Sequence, residues 1–298
     1  MHIPVLLKET IACLNPQKNE NFVDCTINGG GHTKEILKKI APNGKVLGIE
    51  WDFQIYENIL KQNIERLEVV NRSYAELEKI IIEKKFKDVA GVLFDLGMSS
   101  FQIEESGKGF SFNRNEPLIM TYGNTENTAE KILNSYDEER LEKIIREYGE
   151  EKFSRKIAKA IIKARKTKPL KTTFDLVEII RQAVPAKYQY SKTHFATRTF
   201  QAIRIEANQE LENLKIALPQ AVRILKPGGR LAIISFHSLE DRIVKNFFKN
   251  QEKEKQIKII TKKPIIASEE EIIKNPRARG AKLRAIIKCQ EKNQNQKM

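Results

Sequence analysis

Short apolar runs and helix-period patterns alternate along the N-terminal third of the chain. Phe22, Val23 and Cys25 form a first run, Ile36, Leu37 and Ile40 recur at helical spacing, and Lys45 to Ile49 forms a second run. The pattern then repeats. Ile55, Ile59, Leu60 and Ile64 predict a helix, Leu67 to Val70 a strand, Ala75 to Lys84 a helix, and Val89 to Phe94 a strand that is apolar at almost every position. Strands separated by helices of this length predict an α/β fold with a mostly parallel sheet, and the unbroken fourth run requires cover on both faces.

From Phe101 to about Arg204 the alternation lapses. Thr128 to Leu133, Glu138 to Tyr148, Ser154 to Lys166 and Phe174 to Ala183 are patterned as helices, which predicts an inserted helical domain. In the third of these, Ile157, Ala158, Ile161 and Ile162 line one face while Arg155, Lys156, Lys159 and Lys163 fall elsewhere. The stretch THFATRTFQAIRIEANQELENL leads into a long helix carried by Leu211, Leu214, Leu218, Val222 and Leu225, which Pro219 should kink. LKPGGRLAIISF reads as another buried strand, and Ile257 to Thr261 and Leu283 to Ile287 as final strands. The predicted boundaries are 1–104 and 205–289 for the α/β domain, 105–204 for the insert, and 290–298 for a disordered tail.

Chemistry concentrates at the ends of the predicted strands. The first stops at Asn28-Gly29-Gly30-Gly31, where the backbone can take positive φ and approach a ligand closely. The second ends in Glu50, an acid placed to accept hydrogen bonds from the ribose hydroxyls of a nucleoside cofactor. A dinucleotide would favour a third small residue where Lys34 stands. S-adenosylmethionine, which has no phosphate, tolerates Lys34 and the bulky His32, so the sequence leans toward the methyl donor. Tyr74, just past the third strand, can cover an adenine or simply pack. Asp95 ends the fourth strand and should converge on the same crevice, the alternative being a buried helix cap.

Other candidates carry competing readings. Phe110 and Phe112 in GKGFSFNR can stack on an unpaired base or plug the loop locally. HSLEDR, with His237, Ser238, Asp241 and Arg242, can serve chemistry or RNA binding, or be an ordinary helix cap.

Composition narrows the class. The formal charge of +14 over 298 residues is uneven. Every charged residue from Lys152 to Phe174 is Lys or Arg, and from Lys274 to Met298 the basic residues are interrupted only by Glu291. Such local excess is the footprint of a polyanion partner, set against the plainer reading of a lysine-rich solvated surface. Three dispersed cysteines and four histidines argue against a disulfide framework or a structural metal. No apolar run reaches membrane-span length and the N-terminus lacks a leader pattern, so a cytoplasmic protein is expected. HIPVLLKE, from His2 to Glu9, reads as an apolar clip docked on the body.

Taken together, HIPVLLKE, DCTINGGGHT, DLGMSS, GFSF, YGEEKFSRKIAKAI, ATRTFQAIRI, KPGGRLAIISFHSLEDRIVK and NPRAR resemble the bacterial small-subunit ribosomal RNA cytosine-N4 methyltransferases of the MraW type. The resemblance runs from His2 to about Arg284. It implies a class I methyltransferase fold, Rossmann-like with an antiparallel last strand and an inserted helical domain. It also implies S-adenosylmethionine as cofactor and a cytosine of the ribosomal decoding region as substrate. Family cofactor contacts carry over onto Gly30, Gly31, His32, Glu50, Tyr74, Asp95 and Gln102. The sequence departs from the family at Asn28, usually Gly, at Glu50, usually Asp, and at Ile119 and Thr121, where an acid and a base are replaced together.

The expected mechanism needs an acceptor for the N4 proton: Asp95 first, Ser99 second, His237 third. Arg198, Arg204, Arg242, Arg277 and Arg279 are the expected phosphate contacts, on free ribosomal RNA or on an assembled small subunit. Two other classes compete with this reading: a noncatalytic RNA-binding assembly protein, and an NAD-dependent oxidoreductase, against which the missing third glycine and the basic insert count.

Overall fold

The computed structural model describes residues 4–190 and 192–290. The chain divides into two compact units, Met1–Gly97 with Leu211–Met298, and Met98–Glu210. His2 and the predicted tail beyond Gln290 lie outside the described residues.

The first unit is built on an eight-stranded sheet. Its strands are β1 (Asn21–Asp24), β2 (Val46–Glu50), β3 (Leu67–Asn71), β4 (Val89–Asp95), β5 (Leu225–Ser235), β6 (Ile257–Ile259), β7 (Ile265–Ile266) and β8 (Lys282–Lys288). The order is β3-β2-β1-β4-β5-β8-β6, with β7 also on β8. The strands from β3 to β5 pair in parallel, while β8 runs antiparallel to β5, β6 and β7. The helices of this unit are α1 (Leu7–Leu14), α2 (Gly31–Lys39), α3 (Phe53–Leu60) and α4 (Leu77–Glu83) in the first segment.

Period-two alternation explains why the central strands are apolar throughout. Val23, Leu47, Val92, Phe94 and Ile233 enter one core with Leu77, Ile80, Leu218, Val244 and Phe248. Their neighbours Phe22, Val46, Leu93 and Ile234 enter the opposite core with Leu6, Leu14, Ile36 and Ile40. Both faces are therefore covered by helices, and neither face of β4 can tolerate a polar side chain. The N-terminal segment docks as expected from its apolar residues: Leu6 is fully buried, and its N–H donates to Glu271 Oε1 at 2.7 Å.

The second unit contains α5 (Ser100–Glu104), α6 (Ala129–Ser135), α7 (Glu138–Gly149), α8 (Ser154–Arg165), α9 (Thr173–Ala183), α10 (Ala186–Gln189) and α11 (Thr197–Asn208). Ile132, Ile145, Ile157, Ile161, Leu176, Ile180 and Ile203 share one core. Arg165 turns inward from α8, donating to Leu133 O at 2.9 Å and Tyr136 O at 2.5 Å. The segment holding the family departures is part of this architecture. Asn208 Nδ2 donates to Met120 O at 2.7 Å, and Tyr122 N–H donates to Asn208 Oδ1 at 2.8 Å. Thr121 between them is buried.

Two boundaries differ from the sequence expectation. The units divide after Gly97 and Glu210 rather than after 104 and 204, because Met98 packs into the helical core and α11 belongs to it whole. The long helix is accordingly two helices. Gln209 takes φ 51 and ends α11, and α12 (Glu210–Ile224), with Pro219 inside it, begins afresh. α13 (Ser238–Lys253) and α14 (Glu269–Lys274) complete the first unit.

Gly91 is the tightest point of the sheet, since a Cβ there would stand 2.2 Å from Phe22 Cε1 between two buried layers. Gly91→Ala is expected to destabilise the protein by roughly 1–3 kcal/mol, the usual cost of overpacking a core. Urea unfolding checks this, and a variant as stable as the parent would mean that Phe22 can move aside.

Candidate active site

Three adjacent parallel strands of the first unit end in acids: Asp24 on β1, Glu50 on β2 and Asp95 on β4. β1 is flanked by β2 and β4, so the strand order reverses there and the crevice outside the carboxyl ends opens at this point. All three carboxyl groups are buried.

Each acid is held by a different set of donors. Asp24 accepts the Thr33 hydroxyl at 2.6 Å and the Thr26 N–H at 3.2 Å. Glu50 accepts the Asn28 N–H at 3.1 Å on one oxygen and the Asp52 N–H at 2.9 Å on the other. Asn28 adopts φ 48, so it keeps the positive-φ turn that glycine would supply, and its Nδ2 reaches Asp95 O at 3.4 Å. Asp95 is fixed through its backbone, its N–H donating to Thr26 Oγ1 at 2.6 Å. Its Oδ2 lies 3.5 Å from His32 Nδ1, while its Oδ1 is buried without a partner.

Burial raises the proton affinity of all three. Desolvation lifts Asp24 to about 6 against the hydrogen bonds from Thr33 and Thr26, and lifts Glu50 to about 7 against those from Asp52 and Asn28. Asp95 is pushed well up by desolvation first, then by the Asp24 and Glu240 carboxylates.

The glycine turn divides its labour. Gly30 takes φ 74 at the start of α2, the backbone freedom that a close ligand approach needs. Gly31 instead makes room for the chain itself, since a Cβ there would stand 2.2 Å from Pro4 Cγ. His32 is buried and bridges Val5 O, 3.0 Å from Nε2, to Asp95. Tyr74 meets Phe94 edge-on, ring centroids 5.5 Å apart, next to the end of β4.

His237, at the end of β5, is the N-cap of α13. Its Nδ1 accepts the Glu240 N–H at 3.4 Å, and Glu240 Oε2 accepts the Phe236 and His237 N–H groups in return. Nε2 stands 3.2 Å from Glu240 Oε1 without forming an aligned hydrogen bond. The cap reading of HSLEDR is therefore realised, with an imidazole rather than a hydroxyl in the capping position. Asp241 is paired with Arg284 at 2.6 Å and held low, burial being outweighed by the Arg284 and Lys282 partners.

In the helical unit several expectations need correction. Ser99 caps α5, accepting the Gln102 N–H at 3.1 Å while Gln102 Oε1 accepts the Ser99 N–H at 2.9 Å. Both side chains are thus spent on each other's backbone. Phe110 is buried and stacked on Tyr122 at 5.4 Å, and Phe112 is stacked on His194 at 4.4 Å, so the loop aromatics form the local plug rather than a free stacking platform. Arg204 is buried in a bidentate pair with Glu210 at 2.8 and 2.9 Å, which removes it from any phosphate-binding set. Arg198, Arg242 and Arg279 are exposed and Arg277 is half-buried. Asp24 was not a sequence candidate. The available signal was an acid closing the apolar run Phe22-Val23, the same signature that singled out Glu50 and Asp95.

A parallel sheet with an antiparallel strand beside β5, a glycine turn after β1 and an acid ending β2 define a class I S-adenosylmethionine-dependent methyltransferase. The buried, partnerless Asp95 oxygen and the positive-φ backbone at Gly30 fit a polar ligand in this crevice. The MraW methylase family model matches residues 1–289, and the chain belongs to that family. Among curated relatives, "Ribosomal RNA small subunit methyltransferase H" from Clostridium botulinum (strain Loch Maree / Type A3) is 47% identical, over 96% of this chain and 98% of that protein. The protein of the same name from strain Kyoto / Type A2 is 48% identical over the same shares. An rRNA methylase crystal structure from Streptococcus thermophilus superposes with a TM-score of 0.45 at 11% identity, covering 97% of this chain and 99% of that one.

The buried acids predict an inverted pH dependence in the unliganded protein. A raised folded-state pKa contributes stability that is complete below the unfolded value and is lost as pH rises through the folded value. For Asp24 the window runs from 3.8 to about 6, and for Glu50 from 4.5 to about 7. Asp24→Asn and Glu50→Gln should each gain on the parent as pH rises through these windows, by on the order of 3 kcal/mol. Urea unfolding at a series of pH values measures the difference, and parallel profiles for parent and variants would mean that the carboxyl groups ionise freely in the fold.

Proposed function

We propose that this methylase transfers the methyl group of S-adenosylmethionine to the N4 amino group of a cytosine in the decoding region of small-subunit ribosomal RNA, in the cytoplasm. The names carried by relatives at nearly half identity over the full chain support the substrate. The observation that carries the chemistry is the buried Asp95 carboxyl group with one oxygen unpartnered at the mouth of the sheet.

When bound, S-adenosylmethionine supplies a sulfonium-activated methyl group. Gly30 offers backbone to it, Glu50 accepts from its ribose hydroxyls, and Tyr74 flanks its adenine. Gly31 and His32 act one step back: the first admits Pro4 against the turn, and the second holds the Asp95 side chain in place.

Cytosine N4 is a weak nucleophile because its lone pair is delocalised into the ring, so alignment supplies much of the rate. Asp95 Oδ1 accepts a hydrogen bond from the amino group and takes the proton that the amine sheds. Burial and neighbouring carboxylates make it a stronger base than a solvated aspartate, which suits that task. His237 is the second acceptor, limited by its commitment to the α13 cap. The cytosine enters unpaired or flipped, because N4 is engaged in a base pair within a duplex. Arg198, Arg242, Arg277 and Arg279 contact phosphates of the RNA.

Incubation with methyl-labelled S-adenosylmethionine and small subunits from a strain lacking the gene should yield labelled N4-methylcytidine on nucleoside analysis. Label in another nucleoside would refute the N4 assignment, and no label in subunits or naked RNA despite bound cofactor would favour the noncatalytic assembly role. Asp95→Asn should bind cofactor within a few-fold of the parent but transfer methyl at least about 100-fold more slowly, the usual scale of a lost general base. Full-rate transfer by that variant would exclude Asp95 as the proton acceptor.

A further inference from the structure

The charged residues of α8 are sorted into two sets. Arg165 is used internally, on the Leu133 and Tyr136 carbonyl groups at the C-terminal end of α6. Arg155, Lys156, Lys159 and Lys163, with Lys166 directly after the helix, are all exposed. At about 100° per residue these five positions fall within an arc of about 100°, while Ile157, Ala158 and Ile161 occupy the buried side. The stripe extends about 16 Å along the helix axis at the usual rise per residue.

No carboxylate answers this stripe. Among the described residues none of the five has an acidic partner, whereas on the adjacent α7 Arg146 is paired with Glu142 at 2.7 Å, and Lys168 beyond the stripe reaches Asp175 at 3.4 Å. Like charges at helical i, i+4 spacing, as at Lys159 and Lys163, cost an isolated helix a few tenths of a kcal/mol per pair. Arg155 also stands in the first turn, where the helix dipole disfavours a cation. Lys156 lies 5.9 Å from the Phe153 ring centroid, but no carboxylate offsets either cost, and such a face is complementary to an external line of negative charge.

We propose that this face of α8 is an RNA-backbone surface, meeting successive phosphates of the small-subunit ribosomal RNA. It rests on the reading of the protein as a ribosomal RNA methylase, and it makes α8, rather than Arg204, the helical unit's grip on the substrate. The contact is electrostatic and carries no base specificity.

The test compares Lys156→Gln/Lys159→Gln/Lys163→Gln with the Arg triple at the same positions and with Lys39→Gln/Lys61→Gln/Lys249→Gln, which removes equal charge from the exposed surface of the other unit. Binding to protein-free small-subunit ribosomal RNA is titrated over a range of salt, and methyl transfer to small subunits is measured in the same preparations. The α8 Gln triple should bind RNA at least about tenfold more weakly near 100 mM salt, with a log–log salt slope smaller by about 2, since each neutralised phosphate contributes about 0.7–0.9. Cofactor affinity and melting temperature should match the parent, and the Arg triple and the remote triple should keep the parental slope. An unchanged slope in the α8 Gln triple overturns the proposal. So does weakened binding to assembled subunits alone, which would assign the stripe to an acidic protein. A parent protein that binds RNA with the expected α8 dependence yet transfers no methyl group would overturn the methylase reading and leave the surface standing.

Discussion

Burying carboxyl groups is costly, and the organisation of the α/β unit follows from how that cost is met. Asp24, Glu50 and Asp95 close three adjacent strands at the one place where the sheet order reverses. No Lys or Arg pairs with any of them among the described residues. Their donors are instead the Thr26 amide, the Thr33 hydroxyl and the backbone N–H groups of Asn28 and Asp52, with the His32 imidazole beside Asp95. Nearly all of these lie in or beside the turn from Thr26 to Thr33. The turn is thus an acid-solvating loop as well as a ligand-approach loop, which is why its conformation survives the exchange of a glycine for Asn28.

The N-terminal segment extends the same logic. Pro4 fills the space that Gly31 leaves, and Val5 O fixes one nitrogen of His32 so that the other faces Asp95. A clip that looks peripheral in sequence is therefore two contacts away from the proposed proton acceptor. Its apolar residues supply the anchoring area, with Val5, Leu6 and Leu14 all in the core beneath α2.

The sheet was legible because buried parallel strands leave unbroken apolar runs, and β2, β4 and the second half of β5, from Leu231, are apolar on both faces for that reason. The two-residue β7 was not, since so short a strand has no period of its own. Glu50 and Asp95 were legible as acids ending such runs. The competition between solvated and committed side chains was not. Arg204 has the same local sequence signature as Arg198, yet Glu210, six positions on, folds back on it across the break at Gln209. Phe110 and Phe112 found ring partners at Tyr122 and His194, which lie outside any local window. Ser99 and Gln102 satisfy one another because a short helix begins between them, and helix starts of five residues leave little periodic trace.

The formal charge of +14 counts every carboxylate as ionised. Burial raises the proton affinity of Asp24, Glu50 and Asp95 in the unliganded fold, so these three carboxyl groups hold a charge less readily than they would in water. Several other acids are paired with a cation one helix turn away, as Glu142 with Arg146 and Glu178 with Arg181. The cationic face of α8 has no such partners among the described residues. Charge is thus separated by burial within each unit: acids are enclosed at the carboxyl ends of β1, β2 and β4, and the cations of α8 are turned to solvent while its apolar residues face the helical core.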